Sequence, residues 1–273
     1  MSKTTRSSKR HWPRGVVILH EDRDILVVEK PAGMLTMGTT RFDEDTLYHK
    51  LTNYVRKGNS KSRERVFIVH RLDREASGVL VFARNERAKA TLQDHWSEAK
   101  KRYLAIVHGT PSPKSGVFES FLAENAAHRV YATRDAAQGK LSRTAYRAVR
   151  ERGGLSLLEI DLLTGRKHQI RVQLADAGHP IVGDRKYGGS EHSRGGGRLK
   201  RDNASRRGGE PAPRGREPDS RGRRGARTRG RLALHAVSLS FQHPATGETM
   251  SFEARAPKHF AEMGKLSSPS SER

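Results

Sequence analysis

Short apolar runs separated by polar turns set the rhythm of this chain. Residues 16–19 and 25–28 read as two strands across the polar turn His20-Glu21-Asp22-Arg23-Asp24. Lys30-Pro31-Ala32-Gly33 ends the second strand, because Pro31 has no N–H for a ladder and Gly33 permits a sharp turn. Leu47, Leu51, Tyr54 and Val55 recur at helical spacing and predict a helix over 46–56. Two strand-like runs, 66–69 and 79–83, flank a polar stretch at 70–78. Asn85 is a good N-cap for a helix from 86 to about 101, with Ala88, Leu92, Trp96 and Ala99 as its buried stripe. Residues 103–107 predict a strand. Leu158, Ile160 and Leu162 alternate with Glu159 and Asp161, the pattern of a half-buried strand. Thr164-Gly165-Arg166 turns into a helix over 167–177, with Gly178 just past its end. Runs at 232–241 and 250–254 predict closing strands across the turn Pro244-Ala245-Thr246-Gly247.

Strands dominate, and the helices do not alternate regularly with them. The pattern predicts an α+β fold, a largely antiparallel or mixed central sheet flanked by helices, rather than a doubly wound one. One body over 15–258 accounts for the periodic segments, with a basic, disordered N-terminus at 1–14 and a C-terminal tail at 259–273. From 190 to 230 the only large apolar residue is Leu199, while Arg, Gly, Ser and Pro prevail. Such a segment buries too little surface to offset the entropy of ordering, so a disordered insertion is expected there. It reads equally as a solvated spacer and as an arginine-rich tether for RNA phosphates.

Charge narrows the class. Among 273 residues there are 53 Lys plus Arg against 30 Asp plus Glu, a formal +23. Phosphate backbones are the usual partners of such a field. Residues 190–231 hold about 14 basic and 5 acidic residues, so roughly +14 remains elsewhere. Cysteine is absent, which removes disulfides, zinc–thiolate sites and a cysteine nucleophile together. No run approaches the ~18 apolar residues of a membrane span, and the basic start has no apolar region of a signal peptide behind it. A soluble, cytoplasmic, polyanion-binding protein, monomeric and without a membrane partner, is the expectation.

Several chemistries have no motif here: no phosphate-binding P-loop, no dinucleotide fingerprint between a strand and a helix, no His-Glu-x-x-His, no nucleophile elbow. Nor do the 13 histidines form a spaced ligand cluster, so no metal is expected. What stands out are four dense polar clusters at the ends of apolar strands. They are Glu29-Lys30-Pro31-Ala32-Gly33, then His70-Arg71-Leu72-Asp73-Arg74-Glu75-Ala76-Ser77-Gly78, then Thr164–Arg171, and Gly178–Gly188. Singly, each has the composition of an ordinary solvated turn.

Together, and in this order, they resemble the RluA-type RNA pseudouridine synthases. That family has a His-Arg-Leu-Asp-x-x-Thr/Ser-Ser-Gly signature, met by 70–78, and an upstream strand ending in Asn/Asp/Glu-Lys-Pro-x-Gly, met by 29–33. Lys101, Tyr103, Ala105, Val107 and Gly109 fit its Lys-x-Tyr-x-Ala-x-Val-x-Gly element. Its Thr-Gly-Arg-x-His-Gln-Ile/Leu-Arg and Gly-x-Pro-Ile-x-Gly-Asp-x-x-Tyr-Gly elements are met by 164–171 and 178–188, and Leu234-His235-Ala236 fits a later Leu-His-Ala. The resemblance spans about 16–257, apart from the insertion. Ala76 and Gln173 depart from the usual Thr/Ser and His. The chain is similar to the shorter branch lacking an S4-type domain.

The resemblance implies an isomerase that breaks the C1′–N1 bond of a uridine, rotates the base and joins C1′ to C5, with no cofactor. It implies Asp73 as the carboxylate acting on the ribose, at C1′ or C2′, Arg171 as its partner, and Tyr103 as a stacking surface that assists loss of the C5 proton. A carboxylate in a site closed to water is opposed by desolvation, and a nearby arginine counters that. The target uridine must leave its stack, and Arg71 suits the vacated space. Arg166, Lys167 and His168, at a predicted helix N-terminus, are expected to hold RNA phosphates, with His70, Lys30 and Lys186 as further RNA contacts. Structured ribosomal or transfer RNA is the expected substrate. A non-catalytic RNA-binding or ribosome-assembly protein on the same fold is the alternative.

Overall fold

Hairpins build most of the architecture. In the computed structural model, residues 12–38, 45–188 and 231–264 are described. β1 (Val17–Glu21) and β2 (Ile25–Lys30) pair across a turn in which Asp22 Oδ1 accepts the N–H groups of Asp24 and Ile25. α1 (Leu47–Val55) is capped by Thr46 and buries Leu47, Leu51, Tyr54 and Val55, the stripe expected. There follow β3 (Phe67–Ile68), β4 (Ser77–Ala83), α2 (Glu86–Asp94), β5 (Lys100–His108), β6 (Ser115–Glu124), β7 (Val130–Thr133), β8 (Lys140–Arg152), β9 (Leu155–Leu162), α3 (Gln169–Asp176), β10 (Leu234–Gln242), β11 (Thr249–Glu253) and α4 (Lys258–Gly264).

All the strands join one mixed sheet, ordered β1-β2-β4-β10-β5-β9-β8-β6-β7. Every pairing is antiparallel except β4 with β10, where only Ser77 and Gly78 meet His235 and Ala236. Beyond those residues the sheet forks. β4 turns its free edge to β3 at Phe82 and Ala83, and β10 turns its own to β11 from Ser238 onward. The wedge is filled by Val79, Val81, Leu239, Phe241 and, from α2, Ala88 and Leu92. The larger core lies around α1 and the middle of the sheet, with Leu26, Leu80, Phe82, Leu158, Ile160 and Leu174 fully or almost fully buried.

The α+β class and the mixed sheet agree with the sequence pattern; three details differ. α2 stops at Asp94 rather than near 101, because Trp96 is used as a lateral contact of His70 (4.4 Å between rings) and Lys100 already starts β5. β6, β7 and β8 fall where no element was expected. The inward side chains of β8 include Ser142, Thr144 and Tyr146, so its periodicity is not an apolar one. The body also extends past both expected limits: Trp12 meets Tyr54 edge-on, and Phe260 of α4 is 3% exposed in the main core. The insertion expected at 190–230 and most of both expected tails lie outside the described residues.

Candidate active site

The loop between β3 and β4 sits at the mouth of the fork, and its sequence is explained by that position. Gly78 has φ +118, and a Cβ there would lie 2.1 Å from the carbonyl oxygen of Ala236. Only glycine lets β4 approach β10 this closely. Beside it, Ser77 Oγ and His235 Nδ1 are 2.9 Å apart and both residues are buried. Burial lowers the His235 pKa to about 4, so the ring is a neutral clasp between the two strands. Thr36 Oγ1 donates to the carbonyl of Leu72 at 2.8 Å, which fixes the residue before Asp73.

Lys30 and His70 hold this loop from beneath, which corrects the expectation that they contact RNA. The Lys30 side chain is fully buried, and its Nζ donates to the carbonyls of Pro31, Met34 and Arg74 at 3.0, 2.8 and 3.1 Å. Burial lowers its pKa to about 8 against the opposing charges of Asp73 and Glu75. His70 accepts the N–H of Val81 at Nε2 (3.2 Å) and packs at a tilt against Trp96; burial, with the charge of Lys101, lowers its pKa to about 3. Lys30 thus fastens the backbone of Arg74, next to Asp73, and His70 fastens the start of the loop to β4.

Asp73 faces a guanidinium shared with a second carboxylate. Arg171 Nη1 donates to Asp73 Oδ2 at 2.8 Å, while its Nε and Nη2 grip both oxygens of Asp184 at 2.7 and 2.9 Å. Arg171 is 6% exposed. Burial opposes its charge, but the bonds to Asp184 and Asp73 outweigh this and raise its pKa. For Asp184, burial is likewise outweighed by Arg171 and by the N–H groups of Lys186 and Tyr187, which hold its carboxyl below the usual range. α3 positions Arg171 through neighbouring glutamines. Gln169 Nε2 donates to the carbonyl of Arg143 and to Thr144 Oγ1, and Gln173 Nε2 to the carbonyl of Ser142 and to Ser120 Oγ. A short helix with a polar buried face is thereby tied to β6 and β8.

Tyr103, on β5, is 8% exposed, and burial together with the nearby Asp73 charge raises its phenol pKa. The neutral phenol is therefore held, which suits a stacking face better than a phenolate base. His168 has φ +54, a left-handed conformation that costs a non-glycine residue of order 1 kcal/mol or more. That conformation sets its Nδ1 2.8 Å from the Tyr187 hydroxyl and its Nε2 3.9 Å from Asp73 Oδ1. Burial, against the Asp73 charge and aided by Arg171, lowers its pKa. A cleft of about 390 Å³ opens here, lined by Gly33, Glu75, His168, Arg171, Lys186 and Arg231 among others. His168 thus belongs to the floor of the site rather than to an exposed phosphate contact.

Of the remaining expected RNA contacts, Lys186 lines the cleft, and Arg71, Arg166 and Lys167 are not among its lining residues. Arg71 and Arg166 are exposed, with no side-chain partner among the described residues. Lys167 is exposed but paired with Glu124, and Lys186 is half-buried, donating to the carbonyl of His128 at 3.2 Å. Asp184, Tyr187 and Ser77 had no individual role in the sequence reading, although all three lie inside its motifs. The one group of metal-ligand type among the described residues, Asp22, Asp24 and His243, lies at the β1–β2 turn. His243 Nδ1 accepts the N–H groups of Ala245 and Thr246, which puts the ring proton on Nε2, facing Asp22 at 3.2 Å. That nitrogen has no lone pair for an ion, and the cluster is a clasp of turns.

Fold and site together define an α+β protein whose forked mixed sheet holds a polar cleft beside the Asp73–Arg171–Asp184 cluster. A family model described as RNA pseudouridylate synthase matches residues 24–176. An uncharacterized RNA pseudouridine synthase of Chlorobaculum parvum is 33% identical over 252 residues, covering 89% of this chain and 71% of that one. Ribosomal large subunit pseudouridine synthase D of Zymomonas mobilis is 30% identical over 253 residues, covering 91% and 72%. Among solved structures, human RNA pseudouridylate synthase domain containing 4 shares the fold, with a TM-score of 0.65 at 24% identity over 90% of this chain and 91% of that chain. The chain belongs to the RNA pseudouridylate synthase family, and it is an isomerase that converts uridine in RNA to pseudouridine.

Proposed function

We propose that Asp73 is the group that acts on the ribose of the target uridine, with Arg171 orienting it and Tyr103 forming the surface under the base. The observation that supports this most is the shared guanidinium. Two of its three engaged nitrogens are spent on Asp184, which leaves Nη1 aimed at Asp73 and leaves Asp73 Oδ1 free of that contact. A carboxylate fixed by one oxygen to Arg171, which lines a cleft that also carries Arg185, Lys186 and Arg231, is placed to meet a sugar whose phosphates those cations hold. Arg71, exposed two residues before Asp73, takes the space left by the extruded uridine.

The substrate in this reading is ribosomal RNA of the large subunit, modified in the cytoplasm by a monomer that needs no metal. The names of the Zymomonas mobilis relative and of a Neisseria meningitidis relative, also a ribosomal large subunit pseudouridine synthase D and 32% identical, support the RNA assignment. The test is a carbodiimide map of pseudouridine in ribosomal and transfer RNA from a deletion strain and its parent. Loss of a position in large-subunit RNA is expected, restored by the intact gene. Loss confined to transfer RNA overturns the assignment. Activity unchanged by a chelator and a monomeric mass in solution are expected of the purified protein.

A further inference from the structure

At the far end of α1 from the catalytic loop lies a second basic surface, which the reaction does not use. The N-terminal end of α1 is tied to the site: Leu47 N–H donates to the carbonyl of Leu35, Tyr48 N–H to that of Thr36, and Thr36 in turn holds Leu72. Nine residues later, about 14 Å along the axis, the helix ends. There a cleft of about 490 Å³ is lined by Trp12, Arg14, Lys50, Asn53, Arg56 and Asn59 among others, and none of its lining residues is acidic. The loop that follows, 56–65, adds Lys57, Lys61, Arg63 and Arg65 against the single acid Glu64.

The helix C-terminus explains part of this charge, since cations are favoured there. Arg56, whose Nε donates to the carbonyl of Glu64, serves that purpose and closes the loop. Arg14, however, comes from a different segment. Arg14, Lys57, Lys61 and Arg63 are exposed and have no side-chain partner among the described residues. Beside these unpaired cations stands Trp12. It is 43% exposed, steadied edge-on by Tyr54 at 5.8 Å and by its indole N–H on the carbonyl of Val16. Arg14 lines the groove with Trp12, while Lys57, Lys61 and Arg63 are exposed in the loop whose Gly58, Asn59 and Ser60 line it. Cations beside an exposed aromatic ring are the combination that binds single-stranded nucleic acid: phosphates meet the charges and a base stacks on the ring.

We propose that the surface formed by Trp12, Arg14, Lys57, Lys61 and Arg63 is a second RNA-binding site, which holds a single-stranded stretch of substrate while the target uridine occupies the catalytic cleft. The inference rests on the RNA-modifying activity but not on which RNA is modified. Fluorescent oligouridylates of 5 and 20 nucleotides, titrated with the full chain by anisotropy between 50 and 200 mM salt, test it without reference to the natural target. The comparison variant is Arg14→Gln, Lys57→Gln, Lys61→Gln and Arg63→Gln combined, all at exposed side chains. It is expected to weaken the 20-mer about tenfold or more and to reduce the magnitude of the salt slope by about 2 to 3, at roughly 0.7 per single-stranded phosphate contact. The 5-mer, too short to reach both sites at once, is expected to lose no more affinity than the 20-mer. Trp12→Ala is expected to weaken the 20-mer about tenfold through lost stacking. An unchanged Kd and slope for the 20-mer in the glutamine variant overturns the proposal. An unchanged 20-mer Kd in Trp12→Ala overturns the stacking part. Either failure leaves the ribosomal assignment standing, and a failed RNA map leaves this surface untouched.

Discussion

Replacing Arg171 by lysine separates geometry from charge at the site. Lysine retains one positive charge, but its donors radiate from a single nitrogen. In the structure three guanidinium nitrogens serve two carboxylates that approach from different sides, at 2.7, 2.9 and 2.8 Å. An ammonium can satisfy one of those carboxylates well, so about two charge-assisted hydrogen bonds are forfeited. Each such bond contributes about 1.5–3 kcal/mol, and the contributions are not additive. A loss of about 3 kcal/mol in stability is therefore expected, which for a protein of this size lowers Tm by roughly 6–12 °C. If the ammonium stays with the more deeply buried Asp184, Asp73 loses its anchor. Displacement of a reacting group by about 1 Å costs on the order of 100-fold in rate. The assay is release of tritium from RNA labelled at uridine C5, run at saturating enzyme, beside thermal and urea unfolding. Asp73→Asn in the lysine background removes the stranded carboxylate, so the double variant should be no less stable than Arg171→Lys alone. A Tm and a turnover rate near those of the parent would refute the reasoning, and so would strictly additive effects of the two substitutions.

Further outcomes follow from single residues. Gly78→Ala is expected to cost at least about 4 kcal/mol, because the new Cβ meets the Ala236 carbonyl oxygen at 2.1 Å in a left-handed backbone; a Tm within a few degrees of the parent contradicts this. Tyr103→Phe keeps the ring and removes the hydroxyl, so RNA affinity should hold within about threefold while turnover falls about 100-fold if the hydroxyl handles a proton. Unchanged turnover would leave Tyr103 as the surface under the base alone, with no part for its hydroxyl. Stability should fall in mild acid. His235 stays neutral in the folded chain down to about pH 4, whereas the unfolded ring takes up a proton near 6.5, so the unfolded state binds more protons in between. Between pH 8 and pH 5 this amounts to about 2 kcal/mol of lost stability, measurable by urea unfolding and expected to shrink in His235→Asn; an equal slope in that variant counts against it.

The parts of the site that were legible in the sequence are those whose residue type is fixed within a dense polar motif. Asp73 and Arg171, 98 positions apart in sequence, were paired only through the family resemblance, and the structure brings them to 2.8 Å. Lys30 and His70 were misread for a physical reason. Charge in a loop is normally solvated, and nothing local shows that three carbonyls converge on Lys30 Nζ or that Trp96 covers His70. β6 to β8 escaped notice because polar residues of β8 face inward, where glutamines of α3 satisfy them; apolar alternation does not register such a layer. The fork is a property of three strands at once, β4, β10 and β5, and has no local signature except the glycine that permits it.

The central claim is that Asp73 does the chemistry on the ribose. Asp73→Asn preserves the side chain's shape and leaves Arg171 its bidentate partner Asp184, so the fold and the RNA affinity should change little. Tritium release from C5-labelled uridine in RNA should then fall by at least about 1,000-fold, while a filter-binding Kd for the same RNA stays within a few-fold of the parent. An Asp73→Asn protein that releases tritium at the parent's rate would contradict the account.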